Sequence, residues 1–271
     1  MTASARRFSS QFPLLDFQAR PPKPSLVPAL PPLEIEQADS VRSLRATLDP
    51  AIARKVVSAT ELLHALDRTR RDDLLPTSID AIDHILGGGL KRGKVVEVVA
   101  RRASGRYAVV VSALAAATSI GEAAALIDVN DHFDPQLAAA AGIDLRRLLW
   151  VRPKTMKEAV MAAEMLTATG FQLVIIDAGL HPVRGRRAPD ASWVRLARAA
   201  ESHGTAMLVS TPYAFTGTTS EAVIRGEKTK VQWKSIGPRS PRVLAGLTTN
   251  FTLEKHRHKK PGAAAPLDLH V

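Results

Sequence analysis

Five short runs of almost unbroken apolar character punctuate the middle of the chain: VVEVVA at 95–100, AALIDV at 124–129, LLWV at 148–151, LVIIDA at 173–178 and AMLVS at 206–210. Each is bounded by turn residues and is too short for a buried helix, so each reads as a strand covered on both faces. The stretches between them predict helices. Residues 107–120 are rich in Ala and Val, 134–141 and 193–202 are shorter, and 155–169 is opened by the capping pair Thr155 and Glu158 and stopped by Gly170. Ahead of the first strand, Thr77 or Ser78 can cap a short helix that Gly87-Gly88-Gly89 ends. Strands alternating with helices in this way predict an α/β fold with a mostly parallel sheet flanked by helices.

The pattern differs at both ends. After Ser220 the helices stop, and 230–233, 242–245 and 248–255 predict a C-terminal extension of antiparallel strands. Residues 1–40 hold Pro13, Pro21, Pro22, Pro24, Pro28, Pro31 and Pro32 with little periodicity, which predicts an extended or disordered tail. Residues 41–74 read as helical: Val41, Leu44 and Leu48 form one face, Leu62, Leu63 and Leu66 suggest another, and Pro50 separates them. The expected organisation is a Pro-rich tail (1–40), a helical segment (41–74), a core (75–258) and a flexible tail (259–271).

Composition narrows the class. Apolar residues make up 45% of the 271 positions but aromatics only 4%, so the core must be built from Ala, Val, Leu and Ile. No run has the apolar length of a membrane span, the N-terminus lacks a signal-peptide pattern, and there is no cysteine for a disulfide or thiolate site; a cytoplasmic protein is expected. The net charge of +11 is uneven, because residues 225–260 carry ten Lys/Arg against Glu227 and Glu254. Such a segment attracts phosphate backbones, and it equally suits a solvated surface. His256 and His258 alternate along one strand face with no third ligand in view, so no metal is expected. No Ser/His/Asp order suggests a hydrolytic site.

The candidate chemistry lies after the first strand. ARRASGRY at 100–107 stands where a phosphate-binding loop would stand, between a buried strand and a helix. That loop needs a first Gly for its backbone turn, then Gly-Lys-Ser/Thr, the lysine for the β/γ-phosphates and the hydroxyl for magnesium. Ala100 replaces the first glycine, Ser104 and Gly105 follow, Arg106 takes the lysine position and Tyr107 the hydroxyl position. Asp177 closes a later strand, where a metal-facing carboxylate belongs. These five positions, 104–107 and 177, are the candidate nucleotide site, in degenerate form.

LPTSIDAIDHILGGGLKRGKVVEVVARRASGR resembles the start of the bacterial RecA recombinase core, and the stretch from AALIDVNDHFDPQ to FQLVIIDAG resembles the part running to its second nucleotide-binding strand. The resemblance covers residues 75–211 and implies a RecA-like fold. It also implies that Asn130 stands where a glutamate would position the attacking water. With Arg106 and Tyr107 also altered, efficient ATP hydrolysis is not expected; no cofactor is expected, and weak ATP binding stays open. The degraded loop and the run HRHKKPG look like the ImuA type, accessory factors of damage-induced mutagenesis. That resemblance implies a cytoplasmic, nucleoid-associated adaptor. Its partners would be an inactive Y-family polymerase relative, an error-prone C-family polymerase and RecA recombinase, and it would self-associate through 41–74. RecA's DNA-binding loops correspond to 181–190, with Arg184, Arg186 and Arg187, and to 211–221, with Tyr213 and Phe215, a combination suited to single-stranded DNA. A divergent DNA-dependent ATPase and a cell-division inhibitor on a RecA-derived fold are the competing expectations.

Overall fold

The computed structural model describes residues 73–101, 103–179, 188–235, 237 and 241–270, together with Ala46, Asp49 and Pro50. The expected Pro-rich tail, nearly all of the helical segment 41–74, and Arg184, Arg186 and Arg187 lie outside the described residues. A short ladder of β1 (Leu74–Leu75) with β2 (Leu90–Lys91) brackets helix α1 (Asp80–Leu86). The chain then runs through β3 (Val95–Ala100), α2 (Arg106–Ser119), β4 (Ala124–Asp128), α3 (Pro135–Ala140), β5 (Leu148–Val151), α4 (Met156–Ala168), β6 (Leu173–Asp177), α5 (Asp190–His203) and β7 (Ala206–Thr211). Three strands close it: β8 (Ala222–Lys234), β9 (Val243–His256) and β10 (Ala264–His270).

Local signals account for these boundaries. The Thr155 hydroxyl accepts from the Glu158 amide at the start of α4, although the Glu158 carboxylate reaches back to the Lys154 amide instead of its own cap. Asp134 caps α3 through the Gln136 and Leu137 amides, and Pro135 occupies the first helical turn. Ahead of α1, Thr77 donates through its amide and hydroxyl to Asp83 and accepts from the Ile79 amide. Gly87 ends that helix in the left-handed conformation (φ 91°), which a side chain would strain.

The main sheet has the order β10-β9-β8-β3-β7-β6-β4-β5. The six strands from β8 to β5 are parallel, while β8-β9-β10 is antiparallel. Alternating side chains of the fully buried strands face opposite layers. Val96 and Val98 pack with α1 and α2, around Ile82, Ile85, Val110 and Leu114. Val95, Ile127 and Ile176 pack with α4 and α5, around Met156, Val160, Trp193 and Leu196. The mostly parallel sheet with helices on both faces and antiparallel strands at the C-terminal side is the predicted architecture. Among the described residues no helix is long and apolar enough to cross a membrane.

Two expectations at the C-terminal side need correction. The predicted 242–245 and 248–255 are one strand, β9, which starts at Val243, and 230–233 lies toward the far end of β8, which already starts at Ala222. Within the expected flexible tail 259–271, residues 264–270 form β10, which pairs with β9 from Ala264↔Thr252 to His270↔Gly246. Alternation explains it: Ala265, Leu267 and Leu269 share a face, and Leu267 is buried in the same cluster as Phe251 and the residues of α1. Burying one such leucine contributes about 1.5–3 kcal/mol, to which the seven-residue ladder with β9 adds its hydrogen bonds.

A phosphate-loop site closed by its own arginine

Residues 101–105 connect β3 to α2 as a phosphate-binding loop does, and Gly105 caps the helix in the left-handed region (φ 75°). A Cβ there would come within 2.9 Å of a Leu269 methyl and 3.3 Å of a Leu267 methyl, so β10 packs against the end of this loop. Ala103 also has positive φ (55°), an uncommon conformation for a residue with a side chain.

Arg106 is the first residue of α2, and its side chain turns inward. Its guanidinium lies 3.2 Å from the Asp177 carboxylate at the end of β6 and 2.7 Å from the Ser210 hydroxyl on β7, and it donates to the Gly179 carbonyl. Asp177 Oδ1 also accepts from the Ser210 hydroxyl (3.0 Å) and the Gly179 amide (3.2 Å). Only 4% of the arginine side chain and 5% of the aspartate side chain remain exposed. Burial pushes the Asp177 carboxyl up from the usual carboxylate range, with the Arg106 charge opposing it, and burial lowers the guanidinium pKa against the pull of Asp177. Both directions follow from withdrawing charge from water.

Above this pair is a cavity of about 290 Å³ lined by Arg101, Ala103, Ser104, Tyr107, His132 and Gly179. The Ser104 hydroxyl and Arg106 Nε are buried and unpartnered. Tyr107 is half exposed, and its phenol is pushed up by burial and by the negative charges of Asp177, Asp128 and Asp134, so it stays protonated. Asp128 sits beside Asp177 in register on β4 and accepts from the Phe133 amide (2.8 Å). Asn130 donates to the Ala178 carbonyl (2.9 Å), which fastens it to the segment leaving β6.

The arrangement does not fit a magnesium triphosphate. The oxygen of Asp177 that faces the loop already accepts three hydrogen bonds, one from a fixed guanidinium, and a cation there would have to displace it. Among the described residues no three His, Cys, Asp or Glu side chains are grouped as a metal site. The two C-terminal histidines pair locally, the His258 amide donating to His256 Nδ1 (3.0 Å).

Of the residues singled out from sequence, Ser104, Gly105, Arg106, Tyr107 and Asp177 come together around the cavity. Tyr213 and Phe215 lie elsewhere, edge to face with ring centroids 4.7 Å apart, and Phe215 leans on the core under α4 and α5. Their loop is held by Glu97, which sequence reasoning missed. This fully buried carboxylate in β3 accepts from the Thr211 hydroxyl (3.2 Å), the Phe215 amide (2.6 Å) and the Thr216 amide (3.3 Å) and hydroxyl. The available signal was one acid inside the apolar run VVEVVA. Ser210 was overlooked too.

Fold and site together define a RecA-like α/β domain. The RecA N-terminal domain family matches residues 52–184. RecA of Saccharopolyspora erythraea is 39% identical over 114 residues, covering 41% of this chain and 33% of that protein. RecA of Frankia alni is 35% identical over 135 residues, covering 48% and 39%. The matched stretches thus span well under half of these curated relatives. A crystal structure of the RadB recombinase superimposes with a TM-score of 0.52 at 20% identity, over 71% of this chain and 94% of that one, a likeness of fold. The fold of this chain is RecA-like, and the sequence likeness to the RecA N-terminal domain family lies within residues 52–184.

Proposed function

We propose that this chain is a non-catalytic, ImuA-type adaptor of translesion DNA synthesis in damage-induced mutagenesis. In this reading the RecA-like core, related to DNA-repair recombinases, serves as a docking platform. The platform would gather an error-prone C-family polymerase, an inactive Y-family polymerase relative and RecA recombinase on single-stranded DNA at the nucleoid, and 41–74 would mediate self-association. The observation that carries the reading is the buried Arg106–Asp177 pair. A phosphate loop whose cationic residue is spent on the metal-facing carboxylate has kept the shape of the cradle and given up the parts that hydrolysis needs. Asn130, held to the Ala178 carbonyl, supports it, since an amide cannot accept a proton from water.

Affinity purification of the tagged chain after DNA damage tests this. Recovery of the error-prone polymerase system is expected; recovery of division proteins alone would sink it. A divergent DNA-dependent ATPase is the second reading, favoured by the cavity and the unpartnered Ser104 hydroxyl facing it. DNA-stimulated phosphate release that disappears in Asp177→Ala would decide for that enzyme.

A further inference from the structure

Two basic runs separated by 161 residues of sequence, KRGK at 91–94 and HRHKK at 256–260, meet at one end of the sheet. The register brings them together. Val96 of β3 faces Ala222 of β8, and Ala222 faces His256 of β9, so the start of β3 and the end of β9 are separated by one strand, about 10 Å. Glu221 lashes the three segments. Its amide donates to the Val95 carbonyl (2.8 Å), its carbonyl accepts from the Arg257 amide (3.0 Å), and its buried carboxylate faces Arg257 (3.8 Å) and His258 (3.5 Å). The Lys259 ammonium reaches the C-terminal end of α1, where a Cβ on Gly87 would run into it. His256 feels the charges of Lys91 and Lys259, and Glu201 those of Arg257 and Lys91, which places these cations on one surface.

The balance there is positive. Lys91, Arg92, Lys94, Arg257, Lys259 and Lys260 outnumber the acids Asp73, Glu122, Glu201 and Glu221: the Asp73 carbonyl accepts from the Arg92 amide (2.8 Å), Glu122 pairs with Arg92, and Glu201 lies 2.6 Å from Lys94. This pole is opposite the cavity: Lys94 precedes β3 and Arg101 follows it, so the six-residue strand sets them about 20 Å apart. Apart from Gly93 both runs are wholly basic, and one exposed large apolar side chain, Ile120, lies two residues from Glu122. A protein interface needs an apolar centre, whereas a phosphate backbone is held by cations alone.

We infer that this pole is a sequence-independent contact for the phosphodiester backbone of nucleic acid, at the opposite end of the sheet from the Arg106–Asp177 cavity. It stands on charge placement and does not depend on the adaptor reading.

The test is fluorescence anisotropy on the full chain with labelled oligothymidylate and with a duplex of equal length, across a salt series. Two neutralising variants are compared with the wild type: Arg257→Gln/Lys259→Gln/Lys260→Gln, and Lys91→Gln/Lys260→Gln, which leaves the Lys259 contact with α1 intact. Both oligonucleotides should bind, because the shared backbone is the ligand. The triple variant should weaken binding roughly tenfold at moderate salt and lower the slope of log affinity against log salt by about two for the single strand. The double variant should show a smaller loss, and unchanged melting temperatures establish that both fold. Four results overturn the inference. They are wild-type binding to neither oligonucleotide, refusal of the duplex, undiminished binding by both variants, and displacement of DNA by polyglutamate at matched charge, which would assign the pole to acidic proteins. Undiminished binding combined with loss in Arg184→Gln/Arg186→Gln/Arg187→Gln would move the contact to the segment that carries those three arginines.

Discussion

The Arg106 guanidinium, at the start of α2, contacts the Asp177 carboxylate at the end of β6 across 3.2 Å, with both side chains almost wholly withdrawn from water. Two elements 71 residues apart are thereby tied at the point where a nucleotide would otherwise bring its own charge. Breaking one side of a buried pair leaves the other charge uncompensated. Arg106→Met should therefore cost about 3–5 kcal/mol in urea unfolding. The double variant Arg106→Met/Asp177→Leu, which removes both charges, should lose clearly less than the sum of the two single losses. Additive losses would show that the pair is not coupled.

The same geometry bears on catalysis. Wild-type protein should release no phosphate from ATP above background, with or without magnesium and single-stranded DNA, in a coupled phosphate assay. Arg106→Lys/Tyr107→Thr, which restores the side-chain types of a working loop, should stay inactive. Asn130 remains bound to the Ala178 carbonyl, and Ala100 still occupies the loop's first position. Positioned phosphate, metal and water are needed together, so repairing two positions leaves a gap at the third.

Glu97 makes a separate prediction about the loop carrying Tyr213 and Phe215. Its carboxylate is the shared acceptor for Thr211, Phe215 and Thr216. Glu97→Gln keeps the volume but places amide hydrogens against donors, leaving buried groups unsatisfied at about 1–3 kcal/mol. Limited proteolysis should then cut between 211 and 217 much faster than in the wild type, while cleavage elsewhere is unchanged. Equal protection would mean the loop is held by other contacts.

The strands were legible because burial on both faces writes itself as an unbroken apolar run. The predicted 95–100, 148–151 and 206–210 fall within a residue of β3, β5 and β7. β10 was not legible. Its buried face comes from Ala265, Leu267 and Leu269 alone, among Pro266, Asp268 and His270, and its partner is a strand whose pairing no local signal announces. The site divides the same way. Loop position and residue types named 104–107 and Asp177, but whether Arg106 points outward to a ligand or inward to Asp177 depends on Ser210 and Gly179, which only the fold brings near. Glu97 was missed although it is an acid inside an apolar strand, because its partners lie more than a hundred residues later.

Asp83 gives the fold a pH dependence of definite sign. Its carboxyl is raised to about 6 from 3.8, first by burial and further by neighbouring Asp80, against the hydrogen bonds from Thr77 and Ser78 that favour the charged form. The folded state thus holds this proton more tightly than the unfolded chain does. The resulting stabilisation is fully present below pH 4 and is lost as pH rises through 6, by at most on the order of 3 kcal/mol, because the side chain still touches solvent. Melting temperatures measured between pH 4 and 8 in the wild type should carry this downward step. Asp83→Asn, which cannot ionise, should remove it and flatten that part of the profile. A wild-type step of unchanged size in the variant would assign the pH dependence to other groups, and a step of opposite sign would mean that the Thr77 hydrogen bonds outweigh burial and keep the carboxylate charged.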